Sequence, residues 1–182
     1  MTVKCSVYIA ASVDGFIARA DGDIAWLDSP RYLDVKMNGL SYDDFIATVD
    51  ALVMGRNSFE KVLTFGFWPY QVPVIVMTSR KLVIPEELKN KVRRENCSPP
   101  ELTELLAKEG KKHLYIDGGI TIQRFLEAGL INEITITRIP VLLGSGIPLF
   151  TDTGNETELE LIEAISSENG FVQERYRVKS GS

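Results

Sequence analysis

The order of apolar runs predicts an α/β fold: a three-layer sandwich on a mostly parallel central sheet, ending in an antiparallel C-terminal hairpin. Three observations carry this. Strand-like and helix-like runs alternate through most of the chain, several of those strands stop at glycine or small polar residues, and two alternating segments, Thr157–Ile165 and Phe171–Val178, close it. Between them Glu168-Asn169-Gly170 offers an Asn-Gly pair, which favours a tight hairpin. At 182 residues and 45% hydrophobic content the chain is near the size of one domain, and no repeat or linker marks another. Residues 1–182 are therefore read as one domain.

Cys5–Ala11 is a dense apolar run bounded by Ser12 and Asp14-Gly15, a buried first strand. From Phe16 to Leu40 periodicity fails, and Asp21-Gly22-Asp23 and Ser29-Pro30 punctuate a long loop carrying Trp26. Loops of that length are uncommon unless functional. Ser41–Val49 reads as a short helix capped by Ser41, with Asp43 and Asp44 in its first turn. Leu52-Val53-Met54 is a strand running into Gly55-Arg56-Asn57-Ser58, after which Phe59, Val62 and Leu63 take helical spacing. Val72–Met77 is a further strand, ending in Thr78-Ser79-Arg80. Ser98-Pro99-Pro100-Glu101 is a capping box with proline at the first helical position, and Leu102, Leu105 and Leu106 give that helix an apolar face. Leu114–Leu126 then reads as strand, glycine turn and helix, closed by Gly129. Glu133–Ile139 is an alternating strand, and Pro140–Phe150 a glycine- and proline-rich apolar loop.

Twenty basic against 25 acidic residues leave a net charge of −5, and no run of Lys or Arg suggests a nucleic-acid surface. Cys5 and Cys97 make neither a metal spacing nor a disulfide framework, which fits a reducing cytosol. The early apolar run is too short for a signal peptide and no stretch approaches a membrane span, so a soluble, cytoplasmic protein without a metal is expected.

The strand ends carry the chemistry. Two adjacent glycines, Gly118-Gly119, after a buried strand let a ligand lie on the main chain, and the following helix aims unpaired N–H groups at it. A phosphate is the natural guest, although a strand-to-helix connection needs such glycines in any case. Gly55-Arg56-Asn57-Ser58 and Thr78-Ser79-Arg80 repeat the pattern at two other strand ends, where ligands of open α/β sheets bind. None matches a Walker A loop or the spaced-glycine dinucleotide fingerprint.

With Ala10–Ala18 (AASVDGFIA) as first strand and loop, Met54-Gly55-Arg56 as a pyrophosphate-side turn, and Ile116–Phe125 as glycine turn and helix, the chain resembles the dihydrofolate-reductase-like superfamily. The similar branch is the one containing the reductase domain of riboflavin-biosynthesis deaminase/reductases. The resemblance implies a reductase using NADPH, with Ala10 and Ile17 flanking the nicotinamide. It puts Gly55, Arg56, Asn57 and Ser58 on the adenosine-phosphate and pyrophosphate contacts, and Thr78, Ser79 and Arg80 on the adenosine side. Gly118, Gly119, Ile120, Thr121 and Ile122 would run along the pyrophosphate. Gly22–Leu27 is similar to a reductase segment whose tryptophan touches the cofactor, so Trp26 is a cofactor and substrate candidate, beside Phe45 and Asp117 for substrate. A structural tryptophan packing the loop is the other reading of Trp26.

Departures bear on substrate. Ile24 stands where riboflavin reductases have serine, and Leu63–Tyr70 (LTFGFWPY) replaces their acidic, proline-containing phosphate-binding segment, so a ribosyl-phosphate end is not visible. Asp117 keeps an acidic group where those enzymes have glutamate. The implied chemistry is hydride transfer to a flat C=N or C=O substrate, pterin-like or resembling 5-amino-6-ribosylaminouracil phosphate, with a proton from Asp117, Asp44 or water. His113, the only histidine, lies outside the motifs. The alternative is a catalytically silent nucleotide-binding sensor or assembly subunit that keeps the cofactor site. The resemblance further implies a homodimer, and a cis peptide bond at Asp117–Gly118 or Gly118–Gly119.

Overall fold

The computed structural model describes residues 2–32, 36–152, 154 and 156–179. Its strands are β1 (Lys4–Ser12), β2 (Phe16–Ala18), β3 (Ala51–Gly55), β4 (Val74–Met77), β5 (Val92–Glu95), β6 (His113–Asp117), β7 (Glu133–Ile139), β8 (Ile147–Pro148), β9 (Leu159–Ser166) and β10 (Val172–Val178). The helices are α1 (Tyr42–Ile46), α2 (Arg56–Leu63), α3 (Pro99–Lys108) and α4 (Gly119–Glu127). Eight strands form one sheet in the order β5-β4-β3-β6-β1-β7-β10-β9. The pairings from β5 to β7 are parallel, and β10 pairs antiparallel with both β7 and β9. A separate antiparallel pair, β2 with β8, ties the first loop to the segment before Phe150.

Period-two alternation within unbroken apolar runs explains the three layers. Ala51, Val53, Ile75, Met77, Leu114 and Ile116 turn to the face covered by Leu102 and Leu106 of α3 and Ile122 and Phe125 of α4. Their neighbours Leu52, Met54, Val74, Val76 and Tyr115 turn to the other face, under Phe45 of α1 and Phe59 of α2. The Ser98 capping box forms, with Ser98 Oγ accepting from Glu101 N–H and Glu101 reaching back to Ser98 N–H. At the end of α4, Gly129 at φ +66° lets its own N–H and that of Leu130 bond the carbonyls of Leu126 and Phe125, closing the helix as the sequence predicts.

Several expectations are corrected. The loop from Phe16 to Leu40, of which residues 33–35 lie outside the described ones, contains β2 and two 3-10 turns, Ala25–Asp28 and Pro30–Tyr32. β5 was not expected, because an edge strand reading Val-Arg-Arg-Glu buries one residue fully and shows no apolar alternation. β7 is buried along most of its length instead of alternating, with Ile134 and Ile136 in the core under α3 and α4 and Thr135 and Thr137 buried as well. The final hairpin does not turn on a two-residue Asn-Gly loop. Gly170 N–H donates to Ser167 O and Ser167 N–H to Phe171 O, both at 2.9 Å, so the loop has three residues with Gly170 at φ +84°. The expected cis bond is absent: among the described residues every peptide bond is trans. Gly118 makes the turn instead by adopting φ 88°, ψ 135°, a conformation that glycine reaches without a Cβ clash.

Candidate cofactor and substrate site

The sheet splits where the site lies. β1 and β6 pair only from Lys4↔His113 to Ser6↔Tyr115, after which β1 continues beside β7 as far as Ser12 and β6 beside β3 as far as Asp117. Peptide groups of alternate strand residues face alternate neighbours. Cys5 O accepts from Asn132 N–H and Val13 N–H donates to Val141 O, so odd residues of β1 face β7. Tyr8 and Ala10 therefore turn their main-chain groups into the gap. The Tyr115 hydroxyl donates to Tyr8 O at 2.9 Å and floors it, which leaves the Ala10 peptide groups at the mouth.

Two helices start beside this gap without a capping side chain. Ser41 and Ser98 cap α1 and α3, whereas the N-caps of α2 and α4 are Gly55 and Gly118, which offer no side-chain acceptor. The first-turn N–H groups of α2 and α4 are thus left for a ligand. The two turns interlock: a Cβ on Gly118 would collide with Ser58 Oγ, and one on Gly55 would sit 3.0 Å from Thr121 Oγ1. Gly119 lies equally close to its surroundings, where a Cβ would come 3.1 Å from Ile17 Cδ1 and 3.2 Å from Pro148 O. Ile17, Ser58, Gly118, Gly119 and Thr121, far apart in sequence, therefore meet. Ile120 is exposed at the helix mouth. Ile122 is turned away: its side chain is fully buried in the core and its N–H is spent on Gly118 O, so it has nothing to offer a phosphate.

After β4, Thr78 Oγ1 accepts from Arg80 N–H at 3.1 Å, which shapes the turn that follows the strand. Arg94, missed in the sequence, donates from Nε to Thr78 O and from Nη2 to Ser79 O, each at 3.1 Å. Arg56 Nε lies 2.7 Å from Glu60 Oε1, an i,i+4 pair on α2 that holds its guanidinium near the helix start. Asn57, like Arg56 and Ser58, occupies the first turn of α2.

Trp26 is only 7% exposed and packs with Tyr32, Ile139 and Phe171, with Ala10, Leu27, Val141 and Leu143 around it. Among the described residues its buried indole N–H finds no acceptor. A buried donor left unpaired costs roughly 1–3 kcal/mol, which an acceptor on a ligand would relieve, at Trp26 as at the Tyr32 hydroxyl in the same cluster. The uncapped helix starts, the glycine cradle and this orphan donor fit the phosphates and nicotinamide of a dinucleotide.

Aromatic rings line the other side of the gap. Tyr8 stacks on Phe45 at 4.9 Å between centroids and meets Tyr42 edge-on at 5.8 Å, while Phe45 packs against Tyr115 at 5.1 Å. Phe45 is sealed beneath Tyr8 and supports this wall rather than forming its surface. Burial pushes the Asp117 carboxyl, at the end of β6, up to about 6, against the opposing pull of Gly118 N–H and Tyr115. Burial, and then the Asp117 charge, push the Tyr42 phenol up to about 12 and hold Tyr70 higher still. Asp44 is elsewhere engaged: Ser41 Oγ donates to its Oδ2 at 2.7 Å on the exposed start of α1. No hydrogen bond among the described residues connects it with Asp117. His113 sits at the opposite end of β6, its ring nitrogens 2.8 Å from Ser6 Oγ and 3.0 Å from Thr48 O, which is a structural position.

A parallel sheet split beside a glycine turn, flanked by uncapped helices, defines a dihydrofolate-reductase-like domain. The chain belongs to the RibD C-terminal domain family, whose model matches residues 4–173. It is 39% identical over 165 residues to the uncharacterized protein YwjB of Bacillus subtilis, covering 88% of this chain and 90% of that one. It is 28% identical over 150 residues to the riboflavin biosynthesis protein RibD of Mycobacterium tuberculosis, covering 80% of this chain but 44% of that longer protein. A solved structure from Shewanella sp. PV-4, named provisionally for riboflavin biosynthesis, superimposes with TM-score 0.87 at 36% identity, covering 98% and 99% of the two chains. The Thermotoga maritima deaminase/5-amino-6-(5-phosphoribosylamino)uracil reductase shares the fold, with TM-score 0.70 at 16% identity over 98% of this chain and 57% of that one.

Proposed function

We propose that the chain is an NADPH-dependent reductase that transfers a hydride to a C=N or C=O of a pterin-like or aminopyrimidine heterocycle. The observation that supports this reading is the split between β1 and β6: beyond Ser6 the two strands no longer pair, so Tyr8 and Ala10 have no strand partner on that side, while β6 runs on to Asp117 and the Gly118–Gly119 turn. Reductase domains of this family are generally NADPH-dependent. NADPH would supply the hydride. The first-turn N–H groups of α2 and α4 would hold its pyrophosphate, Ala10 and Trp26 would orient the nicotinamide, and Arg56, Ser79 and Arg80 would meet the adenosine 2′-phosphate. Asp117 accepts substrate N–H groups and, with its carboxyl pushed up to about 6, keeps a proton available at near-neutral pH. Asp44, tied to Ser41, is assigned no part in this.

Consumption of NADPH, followed at 340 nm against pterins and aminopyrimidines, tests the reading. Stoichiometric oxidation with one of them supports it. Tight NADPH binding without turnover on any would replace it with the silent nucleotide-binding protein.

We further propose that the chain pairs with a second copy through β9. That strand is the sheet's edge and is exposed on both faces, with Leu159, Leu161 and Ile162 uncovered, a combination that invites strand pairing.

A further inference from the structure

The aromatic side of the gap is fastened to the C-terminal hairpin by one buried side chain. Tyr8 of β1, Thr137 of β7 and Gln173 of β10 lie on the same face of the sheet, since Thr137 pairs with Ala10 on one side and with Gln173 on the other. Gln173 is only 2% exposed, and both ends of its amide are used. Its Oε1 accepts from Leu40 N–H at 2.8 Å and its Nε2 donates to Leu40 O at 2.9 Å, the same reciprocal pair that a neighbouring strand would make with that residue. Nε2 also lies 3.5 Å from the Tyr8 hydroxyl and from Thr137 Oγ1. The Tyr8 hydroxyl in turn donates to the same Leu40 O at 2.8 Å. Leu40 thus joins Gln173 to Tyr8.

The two residues before Leu40 are docked on the hairpin as well. Asn38 N–H donates to Ser167 Oγ at 2.9 Å and Asn38 Nδ2 to Ser166 O at 2.8 Å. Gly39, at φ +91°, lies so close to the hairpin that a Cβ there would come 2.5 Å from Gln173 Oε1 and 2.9 Å from Ile165 Cγ2. Directly after Leu40, Ser41 caps α1. That helix has five residues, too few to form without outside support. Its supports are Phe45, stacked on Tyr8 at 4.9 Å, and the anchored residues 38–40 that lead into it. Tyr42, in its first turn, meets Tyr8 edge-on at 5.8 Å. Among the described residues no hydrogen bond ties residues 38–40 to α2 or α4.

Resting on the reductase reading above, we infer that Gln173 is a positioning residue for the substrate. It fixes Leu40, and through Leu40 the Tyr8 phenol and the start of α1, so that the rings of Tyr8 and Tyr42 are held in place before a planar heterocycle arrives. Ordering them in advance spares the entropy that binding would otherwise have to overcome. The cofactor side, built on the starts of α2 and α4, does not depend on it.

Three variants of the full chain test this. Gln173→Met keeps the length of the side chain and removes both bonds to Leu40, and Gly39→Ala disturbs the same contact from the other side. Leu106→Ala in α3, under the opposite face of the sheet, controls for lost stability alone. Hydrogen exchange of the ligand-free chain, read by mass spectrometry, should quicken over residues 38–49 by about tenfold relative to α2 and α4 in the first two variants, with no such local change in the control. Fluorescence titration should show NADPH affinity unchanged in those two variants. Their affinity for 2,4-diaminopyrimidine, an aminopyrimidine of the class proposed above, should fall by about tenfold when it is added to the NADPH-saturated chain. Unchanged exchange over residues 38–49, unchanged diaminopyrimidine affinity, or equal losses for NADPH and the diaminopyrimidine overturns the inference. So does a matching loss of diaminopyrimidine affinity in Leu106→Ala. A wild-type chain that fails to bind NADPH or the diaminopyrimidine overturns the reductase reading instead, and the exchange measurement then decides alone whether Gln173 holds this segment.

Discussion

Asp117→Asn should make the ligand-free protein more stable and less active. Burial raises the Asp117 carboxyl from its ordinary 3.8 to about 6, so the folded state favours the neutral form. A group raised in this way contributes stability that is fully present below the unfolded value and is lost as pH rises through the folded one. At 1.36 kcal/mol per unit, the ionised carboxylate costs the fold up to about 3 kcal/mol at pH 8, an upper limit because part of the side chain still meets water. Asparagine has the same shape and no charge. Urea unfolding of both proteins from pH 3.5 to 8 should therefore show the variant more stable by about 2–3 kcal/mol at pH 8, the gap closing as pH falls from 6 to 4. His113 is present in both proteins and cancels in the difference. Turnover should fall by roughly 10²-fold or more, the usual scale for a lost acid–base group. A variant less stable than wild type at pH 8, or a gap independent of pH, would refute the claim that desolvation governs this carboxyl.

The other predictions are narrower. Arg56→Ala and Arg80→Ala should each weaken NADPH by about tenfold to a hundredfold with little change for NADH, since a hydrogen bond to a charged group contributes roughly 1.5–3 kcal/mol; equal losses for both cofactors would remove the 2′-phosphate from this patch. Gly118→Ala should cost stability through both its positive φ and the collision with Ser58, so adding Ser58→Gly should recover only part of the loss in a thermal melt. Burial lowers the His113 pKa, so its neutral form is favoured in the fold and stability is lost as pH falls below the unfolded value of about 6.5. Within an Asp117→Asn background, His113→Gln should flatten the melting temperature between pH 7 and 5, and an unchanged slope would refute it. Leu161, 56% exposed on β9, should support self-association, so Leu161→Lys should convert a sedimenting dimer to a monomer; a monomeric wild type at micromolar concentration would end that proposal.

What could be read from the sequence was local, and what could not was set by pairing across the sheet. The capping box at Ser98, the Gly129 closure and the strand-glycine-helix units at Gly55 and Gly118 are decided within a few residues, and the fold reproduces them. Even the contrast that marks the site was present: serine at the starts of α1 and α3, glycine at those of α2 and α4. The glycine turn shows the limit of this kind of reading. A Gly-Gly pair says that an unusual backbone is needed there, but a positive φ and a cis bond both satisfy that need, and the pair itself does not choose between them; the fold takes the positive φ, at Gly118. The aromatic wall had no spacing to detect, because Tyr8, Tyr42 and Tyr115 come from β1, α1 and β6 and meet only after β1 and β6 have paired. Arg94 was hidden for a similar reason. On an edge strand of mixed charge it reads as a solvated cation, and its grip on Thr78 and Ser79 exists only because β5 lies parallel to β4. Ile122 erred in the opposite direction: it lies in the matching motif, but by then the helix has turned, so its side chain faces the core and its N–H is already bonded within the helix. Motif position marked the starts of α2 and α4, and helical phase leaves free N–H groups only in their first turns, Arg56 to Ser58 and Gly119 to Thr121.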